Sequence, residues 1–110
     1  YSDDHMEQEF LQKRRHLHDV LKAHGYDVNW QNFLKTSYNV EFDNLLYKEI
    51  GYEKLSFLTM GLLLSPYAAT SIREYFASGF EEYFLPTGDR ASVKMMSPSV
   101  YQKIEILMEQ

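Results

Sequence analysis

Cysteine is absent from all 110 residues, so the chain holds neither a disulfide framework nor a thiolate metal site, and the compartment stays open. No apolar run approaches the roughly 20 residues that span a bilayer; the longest, Met60 to Leu64, is interrupted by Gly61, which argues against membrane insertion. Cationic surface is equally short. The formal charge is −5, and the one basic cluster, Lys13-Arg14-Arg15, spreads over most of a helical turn and is expected to be a solvated face. That balance argues against a nucleic-acid partner, because neutralising phosphates needs a cationic face. There is no Gly-rich phosphate loop, no G-x-S-x-G and no H-E-x-x-H. The chain opens at Tyr1 without an initiator methionine, and its acidic first residues are not signal-like, so it reads as part of something longer.

What is present suits one compact, mainly helical domain covering 1–110. Hydrophobic residues make up 45% of the chain and aromatic residues 15%, enough for a single core, and no repeat or Pro/Ser-rich linker marks an internal boundary. From about Asp4 to His24, Met6, Phe10, Leu17 and Leu21 recur at multiples of helical spacing, and Gly25 follows as a left-handed terminator. Asn29 or Asp27 caps a short helix through Trp30, Phe33 and Leu34. Asn39 caps another that carries Phe42, Leu45, Leu46 and Ile50 and stops at Gly51. A further helical stretch covers about Glu53 to Met60, and Leu62 to Ser65 is expected to be a buried loop before Pro66.

Ser71 then starts a helix running to about Phe84, with Phe76, Phe80, Tyr83 and Phe84 expected on its core face. Leu85-Pro86-Thr87-Gly88 ends it, and a polar connection leads to Ser97-Pro98, which opens the last helix with Tyr101, Ile104 and Leu107 or Met108 inward.

The four histidines offer no helical metal pair. His16 and His18 are two apart, so a helix points them to different sides, and His5 and His24 lie at equally unhelpful offsets; all four are expected to be surface or cap residues. Adjacent Glu81 and Glu82 likewise diverge and suit a solvated face. Tyr67 and Glu74 stand apart from these. Ser71-x-x-Glu74 has the form of a capping box, in which the glutamate reaches back to the Ser71 amide, and Tyr67 precedes that glutamate by seven residues.

The run Ser65-Pro66-Tyr67-Ala68-Ala69-Thr70-Ser71-Ile72-Arg73-Glu74-Tyr75-Phe76-Ala77-Ser78-Gly79-Phe80 resembles the closing part of the anthrax lethal factor-like zinc metallopeptidase domain. In that family a loop tyrosine is followed seven residues later by a glutamate that opens an aromatic-rich helix with an E-F-F-A-x-x-F pattern. The resemblance resumes at Ser97-Pro98-Ser99-Val100-Tyr101-Gln102-Lys103-Ile104, similar to the family's final Pro-x-x-aromatic-x-x-Ile helix, and so covers roughly 45 residues. Leu46-Tyr47-Lys48-Glu49-Ile50-Gly51 followed by Ser65-Pro66-Tyr67 also looks like bacteriophage-encoded versions of the domain.

The resemblance implies a fold like the C-terminal subdomain of a zincin, with Glu74 as the third zinc ligand and Tyr67 as a catalytic residue that stabilises the oxyanion. It implies a peptide or protein substrate and a partner segment, upstream of Tyr1, that carries H-E-x-x-H with the two zinc-binding histidines and the general-base glutamate. Without that segment the chain alone is expected to hold zinc weakly or not at all and to be inactive. The alternative is a non-catalytic structural or interaction domain, such as a component of a phage particle, built on the same scaffold.

Overall fold

The computed structural model describes residues 3–109. Among them there is no strand. The chain forms α1 (Asp3–Ala23), a 3₁₀ turn (Trp30–Phe33), α2 (Val40–Asn44), a π-helical turn (Leu45–Ile50), α3 (Tyr52–Leu58), a second 3₁₀ turn (Pro66–Ala69), α4 (Ile72–Phe84), α5 (Arg90–Met96) and α6 (Pro98–Met108). The result is a mainly helical, compact body measuring 44 × 28 × 22 Å. None of the described helices is long and apolar enough to cross a membrane.

The helix ends follow side-chain chemistry. Gly25 (φ 91°) closes α1 with a Schellman motif, in which the Tyr26 amide donates to the Leu21 carbonyl and the Gly25 amide to that of Lys22. Asn29 and Asn39 accept amide bonds at the starts of their elements, and Asp89 does the same for α5. That last helix occupies what the sequence suggests is a polar connection. Its seven residues hold a single buried position, Val93, too few for a periodic signal.

Three further expectations are corrected by the packing. In α4 the inward residues are Tyr75, Gly79 and Tyr83, while Phe76 is half-buried and Phe80 and Phe84 are exposed. The aromatic stripe is therefore rotated by about one residue, and only Tyr83 of the expected four is core. In α6, Val100 and Ile104 are buried, whereas Leu107 and Met108 face outward past the end of the neighbouring helices. His18 is buried rather than superficial, held edge-on against Trp30 and Phe33 at ring separations of 5.6 and 5.3 Å.

The most consequential correction concerns Lys13-Arg14-Arg15. Arg14 is 1% exposed and lies in the middle of the apolar stripe of α1, one turn from Phe10 and from Leu17 and His18. Glu9, also on α1, joins two other helices. It accepts the Tyr75 hydroxyl at 2.6 Å and the Ser99 amide at 3.0 Å, placing a carboxylate at the positive end of the α6 dipole. Burial, reinforced by the Glu9 bond, pushes the Tyr75 phenol well above its ordinary range, so it remains a proton donor at neutral pH.

Gly79 marks where α4 and α6 come closest. A Cβ there would fall 2.5 Å from Cγ1 of Val100, itself fully buried. Alanine gains up to about 1 kcal/mol of helix propensity, yet overpacking costs about 1–3 kcal/mol. Gly79→Ala is therefore expected to lower stability by about 1–2 kcal/mol, measurable by urea denaturation; a stabilised variant would mean that α6 shifts at little cost.

Candidate functional site

Tyr67 and Glu74 are carried by adjoining elements. Pro66 starts the 3₁₀ turn that presents Tyr67 with its ring 51% exposed, and Thr70 and Ser71, both buried, lead directly into α4. Ser71 caps α4, its hydroxyl accepting the Glu74 amide at 3.1 Å. Only this half of the capping box forms: among the described residues the Glu74 carboxylate accepts no hydrogen bond, from the Ser71 amide or elsewhere. Half-exposed on the first turn of a thirteen-residue helix, it lies where the positive end of the dipole favours an anion.

Tyr47 links the two candidates. Its hydroxyl bonds the Thr70 hydroxyl at 3.1 Å, and its ring meets that of Tyr67 at 5.4 Å, while Tyr52 meets Tyr67 from the next helix at 5.7 Å. Burial raises the Tyr47 phenol above its ordinary range; the Thr70 bond opposes this, and negative charge on Asp43, Tyr67 and Glu74 adds to it. Tyr67 and Glu74 therefore share Tyr47 as a neighbour, and the seven-residue spacing brings a tyrosine and an unengaged carboxylate together. The π turn that carries Tyr47 places it there: the Gly51 amide bonds the Leu46 carbonyl, five residues back, and Gly51 (φ 92°) starts the next helix at Tyr52.

Behind this face stands Arg14. Its guanidinium donates to the carbonyls of Ala69 (3.0 Å), Thr70 (2.8 Å), Phe33 (3.1 Å) and Lys35, and it lies over the rings of Phe10 and Phe42 at 4.6 and 4.2 Å. These carbonyls are the ones left unpaired at the ends of the two 3₁₀ turns, so a single cation serves both. Burial lowers the guanidinium to about 10, and it stays charged at neutral pH. Nearby, the Ile72 amide that opens α4 donates to the Thr36 carbonyl at 2.7 Å.

The comparisons with known proteins fall silent here. No protein family, curated protein or solved structure matches the chain. Its functional reading therefore rests on its own residues and on the resemblance at Tyr67, Glu74 and the last helix.

Glu74 suits zinc as one oxygen donor, since its oxygens are uncommitted and carboxylates serve in zinc sites. One donor does not make a site: among the described residues no three His, Cys, Asp or Glu side chains gather to hold a metal. His5 and His16 are exposed, His24 bonds the Val20 carbonyl at 2.9 Å, and His18 faces Asp19 at 3.0 Å. A recess of about 220 Å³ beside Asp27, Asn39, Glu41 and Glu49 shares no lining residue with Tyr67 and Glu74. Sequence reasoning missed Arg14, Tyr47 and Tyr52.

Proposed function

We propose that this chain is the C-terminal portion of a zinc-dependent endopeptidase domain resembling that of anthrax lethal factor, with Glu74 as a zinc ligand and Tyr67 as a catalytic hydrogen-bond donor. The observation that carries the reading is the Glu74 carboxylate, left without a hydrogen bond and sharing Tyr47 with Tyr67. Two histidines and a general-base glutamate come, in this reading, from an H-E-x-x-H segment outside the chain. Zinc, when bound, supplies Lewis-acid polarisation and lowers the pKa of water.

The chain's own residues do the rest. Glu74 contributes a negative oxygen on a helix start, a rigid mount that holds its direction. Tyr67 offers its hydroxyl from an exposed position that a peptide carbonyl can reach, and donates to the oxyanion as the carbonyl becomes tetrahedral. Tyr47 and Tyr52 contact its ring, and the Tyr47 to Thr70 bond fastens that packing to the turn.

The test uses the full-length polypeptide, measuring zinc content and cleavage of a peptide library. Tyr67→Phe is expected to lower kcat about 10²- to 10³-fold, as loss of an oxyanion donor does, with zinc content unchanged. Full activity in that variant, or a full-length protein that neither holds zinc nor cleaves peptides, would sink the reading.

A second reading, a non-catalytic interaction domain such as a phage-particle component, draws support from α4, whose Phe76, Phe80 and Phe84 rings run in succession at 6.0 and 4.6 Å with the last two exposed. A full-length sequence without H-E-x-x-H would favour it.

A further inference from the structure

We infer that Arg14 is the positioning residue of the Tyr67 and Glu74 face, a buried cation on α1 that fixes both side chains by holding the backbone between them. The inference rests on the zinc-peptidase reading for what the face does, and on the geometry alone for how it is held. Two of the four carbonyls on Arg14 belong to Ala69 and Thr70, inside the short span from Tyr67 to Glu74. The other two, from Phe33 and Lys35, fasten the segment whose next residue, Thr36, receives the first amide of α4. Arg14 thus clamps both sides of the junction from which Glu74 projects. Thr70 bonds Tyr47 as well, so the same clamp reaches the ring against Tyr67.

A planar guanidinium suits this work and an ammonium does not. Its donors diverge in a fixed plane toward four acceptors, and its flat faces accept Phe10 and Phe42. Lysine carries the same charge but has three donors on one atom, so Arg14→Lys separates shape from charge. Among the described residues the ion pairs do not include Arg14. Carbonyl dipoles and rings carry the charge instead, which ties its placement to backbone geometry.

The experiment compares Arg14→Lys with Ile104→Val, a core change on α6, in the full-length polypeptide at a temperature where both are folded. Zinc affinity is measured by chelator competition, and the Tyr67 ring signal is followed by NMR in ¹³C-tyrosine-labelled protein, assigned through Tyr67→Phe. Arg14→Lys is expected to weaken zinc binding by roughly tenfold or more, in the range for lost supporting contacts, and to shift the Tyr67 signal. Ile104→Val is expected to leave both at wild type. Unchanged affinity together with an unmoved Tyr67 signal in Arg14→Lys would overturn the inference, as would equal changes in Ile104→Val. If the wild-type protein binds no zinc, the ligand reading of Glu74 fails, and the Tyr67 signal alone decides the role of Arg14. Should Arg14→Lys not fold, Phe42→Leu removes one ring from the guanidinium; a smaller shift of the same signal supports the clamp, and an unmoved signal overturns it.

Discussion

Arg14→Met is expected to lose on the order of 3–5 kcal/mol, a large share of the 5–15 kcal/mol that holds a domain together. Methionine approximates the length of the side chain and fills the space between Phe10 and Phe42, so the cavity penalty is small. It donates nothing. The carbonyls of Phe33, Ala69 and Thr70, bonded to Arg14 inside the protein, lose their partner, and an unsatisfied buried acceptor costs about 1–3 kcal/mol. Relief from burying a cation offsets part of this, because a charge taken from water carries its own penalty. Guanidinium denaturation gives the number. A loss under about 1 kcal/mol would mean that water replaces the guanidinium and that the clamp is dispensable for folding.

Glu74→Ala is expected to have the largest effect on metal: in the full-length protein, stoichiometric zinc should be lost on dialysis and proteolysis should fall to background. Stability should change little. The Ser71 hydroxyl still accepts the amide of residue 74, so what goes is the favourable position of an anion at the helix start, about 0.3–1 kcal/mol. Glu74→Gln should lose zinc similarly while keeping shape. A packing role predicts the reverse, with stability lost and metal content unmoved, and that pattern would remove Glu74 from the ligand set.

The fold was legible wherever one side chain decides an element's end. Asn39, Gly25, Gly51, Ser71 and Pro98 mark boundaries through local chemistry, and local chemistry needs no knowledge of neighbours. Legibility failed where neighbours decide. The apolar phase of α4 admits two adjacent stripes, and choosing Tyr75, Gly79 and Tyr83 over Phe76, Phe80 and Phe84 requires knowing that Val100 presses on Gly79 and that Glu9 waits for the Tyr75 hydroxyl. Of the candidate site, the Tyr67 and Glu74 spacing was legible because one turn and one helix start carry it. Tyr47 and Tyr52 lie fifteen or more positions earlier in the sequence, and no periodicity connects them to Tyr67.

Arg14 is the instructive miss. Its charge class argues for water, but its position argues otherwise, since it falls between Phe10 and Leu17 on the helical stripe of α1. A basic residue in phase with the core is a signal that acceptors wait inside. What periodicity does not disclose is which acceptors, because they belong to turns 19 to 56 residues away.

The π turn at Leu45–Ile50 also sets a rotational phase. A π segment accommodates one residue more per turn than an α-helix, so everything after it is turned relative to everything before it. Tyr47 lies within that segment and Tyr52 just beyond it, and their rings reach Tyr67 from two directions only at this chain length. Deleting one of the exposed residues Lys48 or Glu49 would let the turn relax to ordinary α-helical bonding while swinging Tyr52 through about 100° about the helix axis. The tyrosine trio would come apart without any of its members being changed. Chain length between Leu45 and Gly51 is thus as much a part of this face as the identity of its side chains, and a one-residue indel there is a change of site rather than of surface.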